Sequence, residues 1–98
     1  MSTIIELSLF PMDKGESVSP YVARAIRIIK ESGLPFEVGP MGTSIEGDLD
    51  EVMEVAVSCI KALLSDSNRV YWSIKGDSRK GRQDGIRKKV ESVKGKLP

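Results

Sequence analysis

The segment Glu37-Val-Gly-Pro-Met-Gly-Thr-Ser-Ile-Glu-Gly47 decides the fold. Gly39-Pro40 divides it and its surroundings into two short extended pieces, Pro35 to Val38 and Met41 to Glu46, which suggests a hairpin or a tight corner between antiparallel strands. A helical pattern lies on each side. Upstream, Val22, Ala25, Ile26 and Ile29 recur at the spacing of one apolar helix face, with Arg24, Arg27 and Lys30 on the wet side. Ser19 before Pro20 reads as an N-cap followed by the first helical position, and Gly33 closes this helix after about Ser32. Downstream, Asp48 reads as the N-cap of a second helix through about Leu64, with Val52, Val55, Ala56, Cys59, Ile60 and Leu63 as its buried stripe.

Strands flank these helices. Ile4 to Phe10 alternates, placing Ile5, Leu7 and Leu9 on one face and Glu6 and Ser8 on the other. Asn68 to Ile74 is rich in β-branched and aromatic residues. Lys75 to Asp84 reads as a polar loop carrying Lys75, Arg79, Lys80 and Arg82, and a last helix from about Gln83 to Leu97 has only Ile86, Val90 and Val93 as its apolar face. The order predicts an α+β protein: a ferredoxin-like β-α-β-β-α-β sandwich with an added C-terminal helix, one domain over residues 1–98. Its two crossover helices cover one face of a four-stranded antiparallel sheet and leave the other open, and an open face needs a partner, a ligand or polar residues.

Composition narrows the function. Fifteen Lys and Arg against 14 Asp and Glu give a net charge of +1, which supplies no global reason to bind nucleic acid or an anionic membrane. The single cysteine, Cys59, excludes an intramolecular disulfide, and the absence of histidine removes both the usual zinc and iron ligand sets and the commonest general base. No cofactor or metal is expected, and Cys59 on the buried stripe reads as a packed thiol. The N-terminus lacks a basic start and a long apolar stretch, so a cytoplasmic location is expected. A chain of 98 residues encloses a thin core, which self-association supplements.

Several residues are placed to carry chemistry. Glu6, Ser8 and Glu46 share the open face if the neighbouring apolar residues face the helices, and two carboxylates there would hold a cation or accept hydrogen bonds from an amino group; solvated glutamates are the alternative. Glu37, Gly42 and Thr43 stand at the glycine-bearing corners, as pocket lining or as backbone geometry alone. Of Tyr71 and Trp72, consecutive on the last strand, one must face the open sheet, where it stacks on a ring or packs against a second subunit. Lys75-Gly-Asp-Ser-Arg-Lys80 has the composition of an anion-binding loop without the order of a nucleotide-binding one.

The strand ending L-F-P-M, the helix start S-V-S-P-Y-V, the block F-E-V-G-P-M-G-T-S-I-E-G, the opening D-L-D-E-V-M and the strand R-V-Y-W-S-I-K-G-D-S-R together resemble the small thiamine-binding protein family of the YkoF-like group, over essentially the whole chain. The resemblance implies a ferredoxin-like subunit that pairs through its sheet into a homodimer, often joined into a homotetramer, and binds thiamine or its hydroxymethylpyrimidine part near a subunit contact. It carries the family's G-T-x-x-E-G positions over onto Gly42, Thr43, Glu46 and Gly47, with Ser17 and Ser19 as polar residues before the first helix. Trp72 departs from the family's pattern, with a size that closes or reshapes a pocket. The expected activity is therefore binding without catalysis, with a structural or regulatory oligomer as the alternative. A phosphatase would need an arginine-bearing cradle after the first strand, where Met12-Asp13-Lys14-Gly15 offers only Lys14. RNA binding on the open sheet would need aromatic residues that the third strand lacks.

Overall fold

The computed structural model describes residues 2–98. Seven elements follow in order: β1 (Ser2–Pro11), α1 (Ser19–Glu31), β2 (Phe36–Val38), β3 (Thr43–Gly47), α2 (Leu49–Leu64), β4 (Val70–Arg79) and α3 (Gly85–Lys94). The strands form one antiparallel sheet in the order β2-β3-β1-β4, the ferredoxin-like arrangement expected.

Period-2 alternation on β1 works as the sequence suggests: Ile5, Leu7 and Leu9 are buried and face the helices, while Ile4, Glu6, Ser8 and Phe10 are half-buried on the other side. Ile45 is opposite Ile5 and joins Ala25 and Ile29 of α1 and Val52, Ala56, Cys59 and Leu63 of α2 in one core. Cys59 is wholly buried and its Sγ donates to the Ala25 carbonyl at 3.4 Å; burial pushes its thiol up to about 11, so the packed-thiol reading holds.

The helix ends show where local rules act. Asp48 caps α2 in extended conformation, and its N–H donates to Glu51 Oε1 at 3.2 Å, one arm of a capping box. Gly33, at φ +77°, turns the chain out of α1 in a conformation that favours glycine. The expected Ser19 cap on α1 is not made. The helix begins one residue earlier, with Val18 as N-cap and no side-chain bond, because Pro20 lacks an N–H and suits the second helical position as well as the first.

Two boundaries move further. β4 continues to Arg79, so Lys75 to Arg79 belong to a strand rather than a loop: each pairs with a residue of β1 from Glu6 back to Ser2, and the long first strand templates its neighbour past the last apolar residue. The final helix is correspondingly shorter, Gly85–Lys94, and its Val93 is largely exposed. This α3 lies on the face opposite α1 and α2 and covers only the end of the sheet near Ser2 and Glu46. Most of the open face stays uncovered, lined by Glu6, Ser8, Ser44, Ser73, Lys75 and the stacked rings of Phe10 and Tyr71, whose centroids are 5.6 Å apart. No helix among the described residues is long and apolar enough to cross a membrane.

Candidate functional site

The sheet is not rectangular. Pairing between β1 and β3 stops at Leu7 and Thr43, whereas pairing between β1 and β4 runs on to Pro11 and Val70. Among the described residues, no strand therefore lies beside one edge of β1 from Ser8 to Phe10. In that notch, on the helix side, lies a cavity of about 270 Å³. Val18, Val22, Ala25, Ile26 and Ile29 of α1 form one wall, Leu7 to Phe10 form the floor, and the hairpin from Val38 to Thr43 closes the remaining side. The hairpin is held by the Gly39 N–H donating to the Gly42 carbonyl at 2.9 Å. Gly42 is required by crowding: a Cβ there would lie 2.9 Å from Glu6 Cγ and 3.2 Å from the Leu7 carbonyl oxygen.

The cavity is apolar walled with a polar rim. Thr43 is buried on the helix side of β3, while Ser8 presents backbone to the cavity because alternation turns its side chain to the open face. Such a space accepts a small flat molecule whose faces meet aliphatic side chains and whose edge bonds to unpaired backbone, the pattern of few polar groups in an apolar setting common to ligand sites. Its volume lies just below the usual range of about 300–1,000 Å³, a size for one ring rather than an extended cofactor.

Three of the expected site residues, Ser8, Gly42 and Thr43, meet at this cavity. Ser17 and Ser19 flank Val18 at its mouth and are exposed. The other three lie elsewhere. Glu37 is opposite Ser44, exposed at the outer strand of the open face. Trp72 is opposite Leu9 and so stands on the helix side of β4, half exposed; of the two consecutive aromatic residues it is Tyr71 that faces the open sheet, beside Phe10.

Glu46 does share a face with Glu6, but the two carboxylates do not form a pair. Glu6 lies 3.7 Å from Lys75 Nζ. Glu46, only 6% exposed, accepts from Ser2 Oγ at 2.5 Å, from the Gly85 N–H at 2.8 Å and from the Ile86 N–H at 3.2 Å. It is the acceptor at the first turn of α3, where backbone N–H groups lack helical partners. Burial by itself would raise its pKa, but these hydrogen bonds, with the Arg82 charge added, outweigh that effect and hold the carboxyl below its ordinary value.

Arg82 continues the cluster. Its guanidinium donates to Ser2 Oγ and the Ser2 carbonyl, each at 3.1 Å, and to Asp77 Oδ2 at 2.8 Å, with its side chain 8% exposed. Asp77 also receives Lys89 at 2.8 Å; Lys89 and Arg82 together bring its carboxyl down to about 2. Arg82 lies in the loop between β4 and α3, as the sequence predicts, but its burial against Ser2 and the parts played by Ser2 and Gly85 carry no sequence signal. Gly85 had a sign that only the structure makes readable, since a Cβ there would lie 2.7 Å from Arg82 Nε and 2.8 Å from Ile4 Cδ1.

Fold and cavity define a class, a ferredoxin-like α+β domain with a ring-sized cleft beside the end of its sheet and a polar latch at the opposite end. Within that class, the chain belongs to the family described as thiamine-binding protein, which matches residues 5–94. It is 39% identical to a UPF0045 protein of Methanocaldococcus jannaschii over 90 residues, covering 92% of this chain and 90% of that one. A crystal structure of that archaeal protein superimposes with a TM-score of 0.88, covering 98% of each chain at 38% identity. A candidate thiamine biosynthesis/salvage protein of Thermotoga maritima has the same fold, with a TM-score of 0.83 at 24% identity over 95% of this chain and 99% of its own.

Proposed function

We propose that this protein binds thiamine, through its hydroxymethylpyrimidine moiety, without catalysing a reaction, and that it does so in the cavity between α1 and the β2–β3 hairpin of a self-associating subunit. The observation that carries this reading is the notch: a ring-sized apolar cavity floored by the unpaired edge of β1 from Ser8 to Phe10. An aminopyrimidine offers donor and acceptor atoms along one flat edge, which suits strand backbone, and two faces that suit Val22 and Ile26. Membership of the thiamine-binding family supports the ligand class. The thiazolium half would extend past the mouth, where Val38 and Met41 are exposed apolar residues, Met41 by 82%; a second copy packed there would cover them and complete the site.

Isothermal calorimetry with thiamine, thiamine phosphates and hydroxymethylpyrimidine tests this. Saturable binding at micromolar concentration is expected, with the pyrimidine alone retaining part of the affinity and Val22→Trp, which fills the cavity, abolishing it. Flat titrations with all of these compounds would refute the binding function.

A further inference from the structure

Charge is unevenly divided along this chain. Residues 75–98 hold nine Lys and Arg against three Asp and Glu, whereas residues 1–74 hold six against eleven, so the small net charge conceals a basic end. The fold gathers that end into a groove. Alternation on β4 turns Asp77 and Arg79 to the face that α3 covers, and the helix brings Lys88, Lys89 and Ser92 beside them. The groove between strand and helix has a volume of about 750 Å³. Asp77, the one carboxylate among its lining residues, is already shared by Arg82 and Lys89, each at 2.8 Å. Arg79 on the strand wall and Lys88 on the helix wall are both exposed, and among the described residues neither forms an ion pair.

We propose that this groove binds a small polyanion carrying two or more adjacent phosphate groups, at a site separate from the cavity beside α1. Its lining holds four cations against one carboxylate. Like charges facing each other across a cleft repel, and an anion between them turns that repulsion into attraction. Cations on both walls suit a chain of phosphates, which presents oxygens to either side: Arg79 offers a planar fork, Lys88 and Lys89 point charges, and Ser92 a hydroxyl. Asp77 fixes Arg82 and Lys89 in place, so two of the four cations are ordered before any ligand arrives, which lowers the cost of binding. No aromatic side chain lines the groove, and a nucleic-acid strand would require such rings to stack its bases. The groove lies at the Ser2 end of β1 and the cavity beyond Leu7, about 20 Å along the strand, so the inference is independent of thiamine binding.

Isothermal calorimetry of the full chain with inorganic tripolyphosphate at about 0.15 M salt tests this. Saturable binding at one site per chain is expected, with orthophosphate binding more weakly. The double variant Arg79→Gln/Lys88→Gln, at exposed positions outside the anchorage of α3, should weaken tripolyphosphate by about tenfold or more, because it removes two charge-assisted contacts. Arg27→Gln/Lys30→Gln, an equal loss of charge on α1, should change the affinity by less than about twofold, since charges beyond about 8 Å are largely screened at that salt. A flat titration of the wild type, or equal weakening by both double variants, would overturn the groove as a polyphosphate site. So would saturable binding of a single-stranded oligouridylate by a chain that ignores tripolyphosphate, which would make the same basic end a nucleic-acid surface.

Discussion

Glu46 shows how a residue can be legible in type and not in role. A glutamate in the block Gly42 to Gly47, flanked by an inward isoleucine, reads equally well as a ligand carboxylate and as a solvated one. The structure gives it a third part: both oxygens serve α3, and its neighbour Ile45 is buried on the opposite face, so two consecutive residues of β3 are covered by different layers. Glu46→Ala would leave the N–H groups of Gly85 and Ile86 and the hydroxyl of Ser2 without their acceptor. Since hydrogen bonds to a charged group are worth about 1.5–3 kcal/mol each and a buried cluster loses them together, a loss of about 2–4 kcal/mol is expected. Urea unfolding measures it. If Glu46 holds α3 rather than ligand, the variant loses stability while its thiamine affinity, measured where it is still folded, changes little; an unchanged midpoint with lost binding would reverse that assignment.

At the scale of elements, α3 is the one held chiefly by polar groups. Its apolar face is thin, and its anchorage runs through Glu46, Ser2, Arg82, Asp77 and Lys89. The folded-state pKa values of Glu46 and Asp77 lie below their ordinary ones, so in that interval the folded chain binds fewer protons than the unfolded chain. The stability they confer is present above about pH 4 and is lost as pH falls from there towards about 2. Hydrogen-exchange protection of the Gly85 and Ile86 amides should accordingly drop between neutral pH and about pH 3 while that of α2 persists; equal protection at both would refute an acid-labile latch. This anchorage also marks the limit of what the sequence discloses. The strands and the two crossover helices announce themselves by period, because their burial is apolar and repeats. β4 beyond Ile74 does not, since Lys75, Asp77 and Arg79 are there through pairing with β1 rather than through any preference of their own. The notch was equally hidden: Gly42 and Thr43 are visible as a motif, but the cavity arises from unequal strand lengths, which no local pattern encodes.

For the whole molecule the governing fact is shape. The chain measures 41 × 33 × 20 Å with a radius of gyration of 14.4 Å, against about 12.6 Å for a compact domain of its length. A slab this thin has one layer of helices over a sheet whose other face is mostly bare, so its surplus surface has to be offset by a partner or by the polar side chains that cover part of it. If the partner is another copy, folding is coupled to association and stability depends on protein concentration. A tenfold rise in concentration adds about 1.4 kcal/mol per mole of dimer, half of it to each chain, which for a domain of this size raises the melting temperature by about 3–6 °C. Calorimetric scans across a hundredfold concentration series should show that rise. A flat line would mean that the slab folds alone, and that the polar residues of its open face, with Phe10 stacked on Tyr71, are sufficient to solvate it.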